Sequence, residues 1–166
     1  MRSRIPAALA ILTLAFGARA DETCGPLFVI ARSLNANVVL YEAHFRADGT
    51  LDAEKPLTAT WRLDAQDGRR EGLNFVERFR AYGFDVAPIG QTDAWRVKVR
   101  ALPARPLVLH AGTGCPFVTA EVDGRTAILR RVYVTATGGL LPKVASVELT
   151  GVDRETALPV TERFTP

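Results

Sequence analysis

This chain of 166 residues holds few residues of the kinds that carry chemistry: two cysteines, two histidines and one methionine. The histidines, His44 and His110, stand far apart, and neither an HExxH nor a CxxC occurs. The spacings that hold zinc are therefore missing, and no metal or cofactor is expected. No GxSxG occurs, and beyond residue 20 the only serines are Ser33 and Ser146, so a serine triad has nowhere to start. Acidic residues are scattered, and paired-carboxylate catalysis cannot be argued from their order alone. Internal repeats, low-complexity tracts and long runs of one charge are absent. No apolar run reaches the roughly 20 residues that a helix needs to cross a bilayer.

What apolar run there is lies at the start. Arg2 and Arg4 precede an apolar stretch from Ile5 to Phe16, and Gly17-Ala18-Arg19-Ala20 follows with two small residues in alternate positions. That three-part pattern is a secretory signal peptide over residues 1–20. Its removal changes the charge. The chain has 21 basic and 18 acidic residues; without Arg2, Arg4 and Arg19 the balance is 18 against 18. A neutral mature domain over residues 21–166 gives no reason to expect nucleic acid or an acidic membrane surface as partner. Lysine is rare, three against eighteen arginines, and alanine abundant. That composition reads as a GC-rich bacterial genome and makes the periplasm the expected destination. In an oxidising compartment a lone pair such as Cys24 and Cys115 is expected to form a disulfide.

Short alternating segments dominate the mature chain and argue for strands. Leu27 to Arg32 is a first apolar strand. Val38 to Phe45 puts Val39, Tyr41, Ala43 and Phe45 on one face. After the Asp48-Gly49 turn, Leu57 to Leu63 repeats the pattern with Trp61 inward. Spacing then changes: Leu73, Phe75, Val76, Phe79 and Tyr82 fit one side of a helix near 71–82, with Gly83 as C-cap. Strands resume at Trp95–Arg100, Leu107–His110, Phe117–Val122, Thr126–Thr135 and Val144–Thr150, with a possible edge strand near Val160–Phe164. Asp123-Gly124 is a hairpin signal; Gly112-Thr113-Gly114 and Gly138-Gly139 are loops. The expected fold is mainly β: a single antiparallel β-sandwich or open β-barrel of about eight strands with one α-helix.

Arg32-Ser33-Leu34-Asn35-Ala36-Asn37-Val38-Val39-Leu40-Tyr41 resembles the opening signature of the domain of unknown function 4833 family. Trp61, the helix closing on Ala81-Tyr82-Gly83, the segment Val147–Asp153 and Glu162 continue the likeness over most of the mature chain. The resemblance implies an exported, largely β bacterial domain and implies no activity.

Within that signature, Arg32, Asn35 and Asn37 are candidates for holding an anionic or sugar-like ligand, although asparagines also suit a turn entering a strand. Tyr41, Trp61 and Tyr82 complete the candidate set. Trp61, Trp95, Tyr41 and Phe45 alternate inward, as a core, or as the lining of an apolar cavity if the sheet closes. Arg96, Lys98 and Arg100 form one strand face, with Arg62 on a similar one; a solvated face is the expectation. No exposed aromatics interleave with them, which disfavours nucleic acid. The segment His110–Cys115 is the best nucleophile candidate. It is faintly similar to the Ser-His-Gly-Cys motif of L,D-transpeptidases, but Thr113 stands in place of the motif histidine, and Pro116 and Phe117 replace polar residues. A Cys115 bonded to Cys24 could attack nothing.

The expected function is a non-enzymatic periplasmic or secreted domain that binds a ligand or supports an envelope structure. Its partner would be an envelope protein or a small ligand, with no nucleic acid and no membrane span after signal removal. Two alternatives stand beside it: a barrel carrying a small apolar or amphipathic ligand, and a cell-envelope enzyme using Cys115.

Overall fold

The computed structural model describes residues 24–112, 114–138 and 143–166. The signal segment 1–20, Thr113 and Gly139 lie outside those residues. Eleven strands and one short helix follow in the order β1 (Phe28–Arg32), β2 (Asn35–Ala43), β3 (Leu57–Leu63), β4 (Arg69–Gly72), α1 (Phe75–Glu77), β5 (Phe84–Pro88), β6 (Ala94–Val99), β7 (Leu107–His110), β8 (Phe117–Val122), β9 (Arg125–Ala136), β10 (Val144–Asp153) and β11 (Pro159–Phe164). A π-helical turn, Arg78–Tyr82, continues α1.

All eleven strands belong to one sheet, curled and open, so the open-barrel alternative is the one realised. Its order is β4-β3-β2-β1-β9-β8-β7-β6-β5, with β10 on β9 and β11 on β10. Neighbours pair antiparallel except β1 and β9, which run parallel. The long strand β9 organises the sheet. β10 follows its Ala127–Ala136 on one side. On the other side β8 takes Arg125–Ile128 and β1 takes Arg131–Val134. Two arms thus leave the same edge of β9, one ending in β4 and the other in β5, and α1 spans the link between those ends.

Alternation determines which side chains fill the concave face. In β6, Trp95, Val97 and Val99 are buried while Arg96 and Lys98 are exposed. Leu107, Leu109, Val118, Leu129, Val132 and Leu149 are fully buried in the same cluster. Each such side chain contributes about 1.5–3 kcal/mol relative to leaving it in water. Tyr41 stacks on Phe28 at 4.4 Å and meets the edge of Phe84 at 6.1 Å, joining the two arms. The β8–β9 hairpin turns on Asp123 and Gly124, both at positive φ, the backbone that two-residue hairpin turns require.

The helix differs from its expectation in three ways. It starts at Phe75, because Asn74 caps it: its Oδ1 accepts from Glu77 N–H and Glu77 Oε2 accepts from Asn74 N–H, each at 2.9 Å. Residues 71 and 72 belong instead to β4, paired with Thr60–Leu63. Only Leu73 and Tyr82 of the expected apolar side are buried; Phe75, Val76 and Phe79 face solvent. Gly83 does follow the last turn, but in an extended conformation. A glycine is needed there for space, since a Cβ would lie 1.9 Å from the Arg78 carbonyl oxygen. Phe45 also departs from its expected inward place. It sits beyond the end of β2, bridged to Leu51, and is exposed while Tyr41, Trp61 and Trp95 are buried.

The Cys24–Cys115 disulfide is present, with the Cα atoms 5.5 Å apart. It closes a loop across 91 positions, a contribution of about 4–5 kcal/mol in the chain-entropy model.

Candidate functional site

A polar recess of about 230 Å³ opens where the β1–β2 turn meets the start of α1. The β1–β2 turn is built locally. Leu34 takes positive φ. Asn35 Oδ1 accepts from the Asn37 N–H at 2.9 Å, which fixes the entry into β2. Ser33 fastens the turn to β9: its Oγ accepts from Ala136 N–H at 2.9 Å, and its own N–H donates to the Val134 carbonyl. Asn37 differs from Asn35. Its Oδ1 is buried and meets no hydrogen-bond partner among the described residues.

Arg32, Asn35, Asn37 and Trp61 line the recess together with Glu71 and Asn74. With Glu77, the walls therefore carry one guanidinium, three amides, two carboxylates and an indole. Among the described residues Arg32 has no carboxylate within 4.0 Å. Glu71 reaches only Arg69, at 3.5 Å. Glu77, also in the lining, is held by the helix cap.

Tyr41 and Tyr82, the other two candidates, stand behind the recess rather than in its lining. The Tyr41 hydroxyl donates to the Tyr82 carbonyl at 2.7 Å. Tyr82 in turn meets Trp61 edge-on, with ring centres 5.1 Å apart. Burial holds the Tyr82 phenol above its ordinary range; the charge of Arg32 opposes this and that of Glu77 adds to it. The structure thus brings Arg32, Asn35, Asn37 and Trp61 together and makes Tyr41 and Tyr82 their supports. Glu71 and Asn74 were not foreseen. The Asn74-x-x-Glu77 capping pattern was the available signal for where the helix, and hence this wall, begins.

The remaining sequence candidates separate. His44 Nδ1 lies 3.1 Å from the Lys55 carbonyl and 3.5 Å from Asp52, whereas His110 Nε2 lies 2.9 Å from Thr119 Oγ1 and its ring stacks on Phe117. Burial, and then the Arg154 charge, lower the His110 pKa. No group of three or more metal-ligating side chains occurs among the described residues. Cys115 is in the disulfide and holds no thiolate for attack. Arg62 pairs with Asp64 and Arg100 with Asp85, while Arg96 and Lys98 are solvated. Glu162 is engaged by Arg105 in a two-pronged ion pair and accepts from Asp123 N–H at 2.8 Å, fastening β11 to the β8–β9 hairpin.

Fold and site define a disulfide-linked, curled β domain with an open polar recess at one end. The chain belongs to the domain of unknown function 4833 family, whose model matches residues 28–163. No curated protein and no solved structure matches it. The disulfide is compatible with a place outside the cytoplasm, and no described helix is long and apolar enough to cross a membrane.

Proposed function

We propose that this is an exported, periplasmic or secreted, ligand-binding domain without catalytic activity, and that the recess takes a small sugar-like ligand bearing an anionic group. The observation that carries this reading is the make-up of the walls. Amides and a carboxylate suit hydroxyl groups, which both donate and accept. Trp61, only 8% exposed, adds a small apolar portion to the wall. Arg32 suits a carboxylate or phosphate substituent, which its planar fork can grip with two hydrogen bonds. Glu71 and Glu77 argue against a polyanion, which they would repel. An open recess of this size fits one ring rather than a long chain.

The test is calorimetric titration with a panel of neutral hexoses, uronic acids and sugar phosphates, read in parallel by tryptophan fluorescence. A uronic acid or sugar phosphate should bind more tightly than the neutral sugar. Arg32→Ala should weaken binding while leaving the urea midpoint unchanged. Asn35→Ala should lower that midpoint, because its side chain holds the backbone. Equal heats for parent and Arg32→Ala across the whole panel would remove this assignment.

A further inference from the structure

The outer side of α1 presents an apolar ridge. Phe75, Val76 and Phe79 are 80%, 62% and 67% exposed, and the two phenyl rings stack with centres 6.2 Å apart. Three large apolar side chains grouped in water on a two-turn helix have no part in the core, and such grouping marks an interaction surface.

Beside the ridge runs a groove of about 420 Å³. It lies at the unpaired ends of the curled sheet. β4 pairs with β3 only over Thr60–Leu63, which leaves Leu57–Ala59 without a strand on that side, and β5 pairs only with β6 among the described residues. Leu57, Ala59, Leu73 and Phe84 form the apolar floor; Lys55, Arg78 and Arg100 stand around it. Arg78 belongs to both features, on the helix and in the groove wall.

The groove lining holds three cations and no carboxylate. Arg100 is 3.2 Å from Asp85, but Lys55 and Arg78 meet no carboxylate within 4.0 Å among the described residues. Arg80, on the same turn, is exposed. Glu77, the carboxylate nearest along the chain, is turned back to the Asn74 N–H. Since the mature chain is formally neutral, this cationic character is a property of the face and not of the whole domain.

We propose that this face adsorbs to an anionic phospholipid bilayer. Phe75, Val76 and Phe79 enter the boundary between headgroups and acyl chains, and Lys55 and Arg78 take the phosphates. Apolar side chains set among cations make up the surface of interfacial helices. The apolar part supplies burial and the cations supply the preference for anionic lipid. The recess is a separate site, so this reading does not depend on the ligand proposed for it.

The experiment is co-sedimentation of the protein, purified after export, with vesicles of mixed phosphatidylglycerol and phosphatidylcholine, and with phosphatidylcholine alone. Binding is expected to the mixed vesicles, weaker at raised salt and weaker to phosphatidylcholine. Phe75→Ser/Phe79→Ser should lose at least about tenfold in partitioning. Arg78→Gln should lose about fivefold, while Asn37→Ala binds as the parent does. The ridge residues are exposed, so the urea midpoint of the double variant should match the parent. Absence of binding to mixed vesicles overturns the proposal, as does unchanged binding by the double variant. Full displacement by glycerol phosphate would make the groove a site for the free anion instead. A parent dimer that dissociates in the double variant would make a second copy the occupant of the ridge.

Discussion

Tyr41→Phe isolates the bond that ties the two ends of the sheet together. Tyr41 is completely buried in β2, and its hydroxyl donates to the Tyr82 carbonyl at 2.7 Å. Phenylalanine keeps the ring, its 4.4 Å stack on Phe28 and its edge contact with Phe84. The loss is therefore one buried hydrogen bond, with a carbonyl left unpaired, and should cost about 1–3 kcal/mol. In a domain of this size that lowers Tm by about 2–4 °C per kcal/mol. Urea unfolding with the disulfide intact measures it, the midpoint falling while the slope stays constant. The pH dependence supplies a second, independent reading. Burial, and then the neighbouring Tyr82, push the Tyr41 phenol far above its ordinary value of 10.0. In the unfolded chain it titrates near that value. Its contribution is thus complete below pH 10 and is lost as pH rises beyond it, by about 1.4 kcal/mol per pH unit. Tyr41→Phe should flatten that alkaline limb. A variant as stable as the parent at pH 7, with an unchanged alkaline slope, would refute the tether.

Two further predictions use the same assay. Glu162→Gln should remove an acid-sensitive component. Arg105, and then the Asp123 N–H, hold the Glu162 carboxylate below its ordinary 4.5. Its contribution is therefore complete above that value and is lost as pH falls through the lowered pKa, so parent and variant should converge in acid. Cys24→Ser/Cys115→Ser should cost about 2–5 kcal/mol in urea unfolding, and mass spectrometry of the alkylated, unreduced parent should find no free thiol.

Three strands were legible to the residue because each has one face in the core and one in water. Leu57–Leu63, Leu107–His110 and Phe117–Val122 occupy the bounds their alternation gave them. β4 and β5 escaped for a physical reason. β4, Arg69–Gly72, is exposed throughout and has no apolar face to show. β5, Phe84–Pro88, is a partly covered edge strand that ends in proline. The helix misled in the opposite direction. Phe75, Val76 and Phe79 have the spacing of a core face, yet periodicity records only that residues share a side, not whether that side turns inward. Here the cap at Asn74 and the close approach at Gly83 set the two ends of the segment. Leu73 and Tyr82 alone enter the core.

The site was half legible, and the division has a cause. Arg32, Asn35 and Asn37 fall within six positions of one another, so a local motif could group them. Trp61 and Tyr82 join them only because the sheet curls: β3 lies two strands from β1, and the helical turn carries Tyr82 back across the opening. That return is held by the Tyr41 hydroxyl, whose acceptor is a backbone carbonyl and leaves no trace in the sequence. The signature from Arg32 to Tyr41 therefore serves two ends. Its first half supplies Arg32, Asn35 and Asn37 to the recess lining. Its last residue, buried beyond reach of any ligand, fixes the distance across which the recess stays open. Truncating Tyr41 should thus loosen the recess without touching its lining, whereas Arg32→Ala should remove the one positive charge of the recess without loosening the fold.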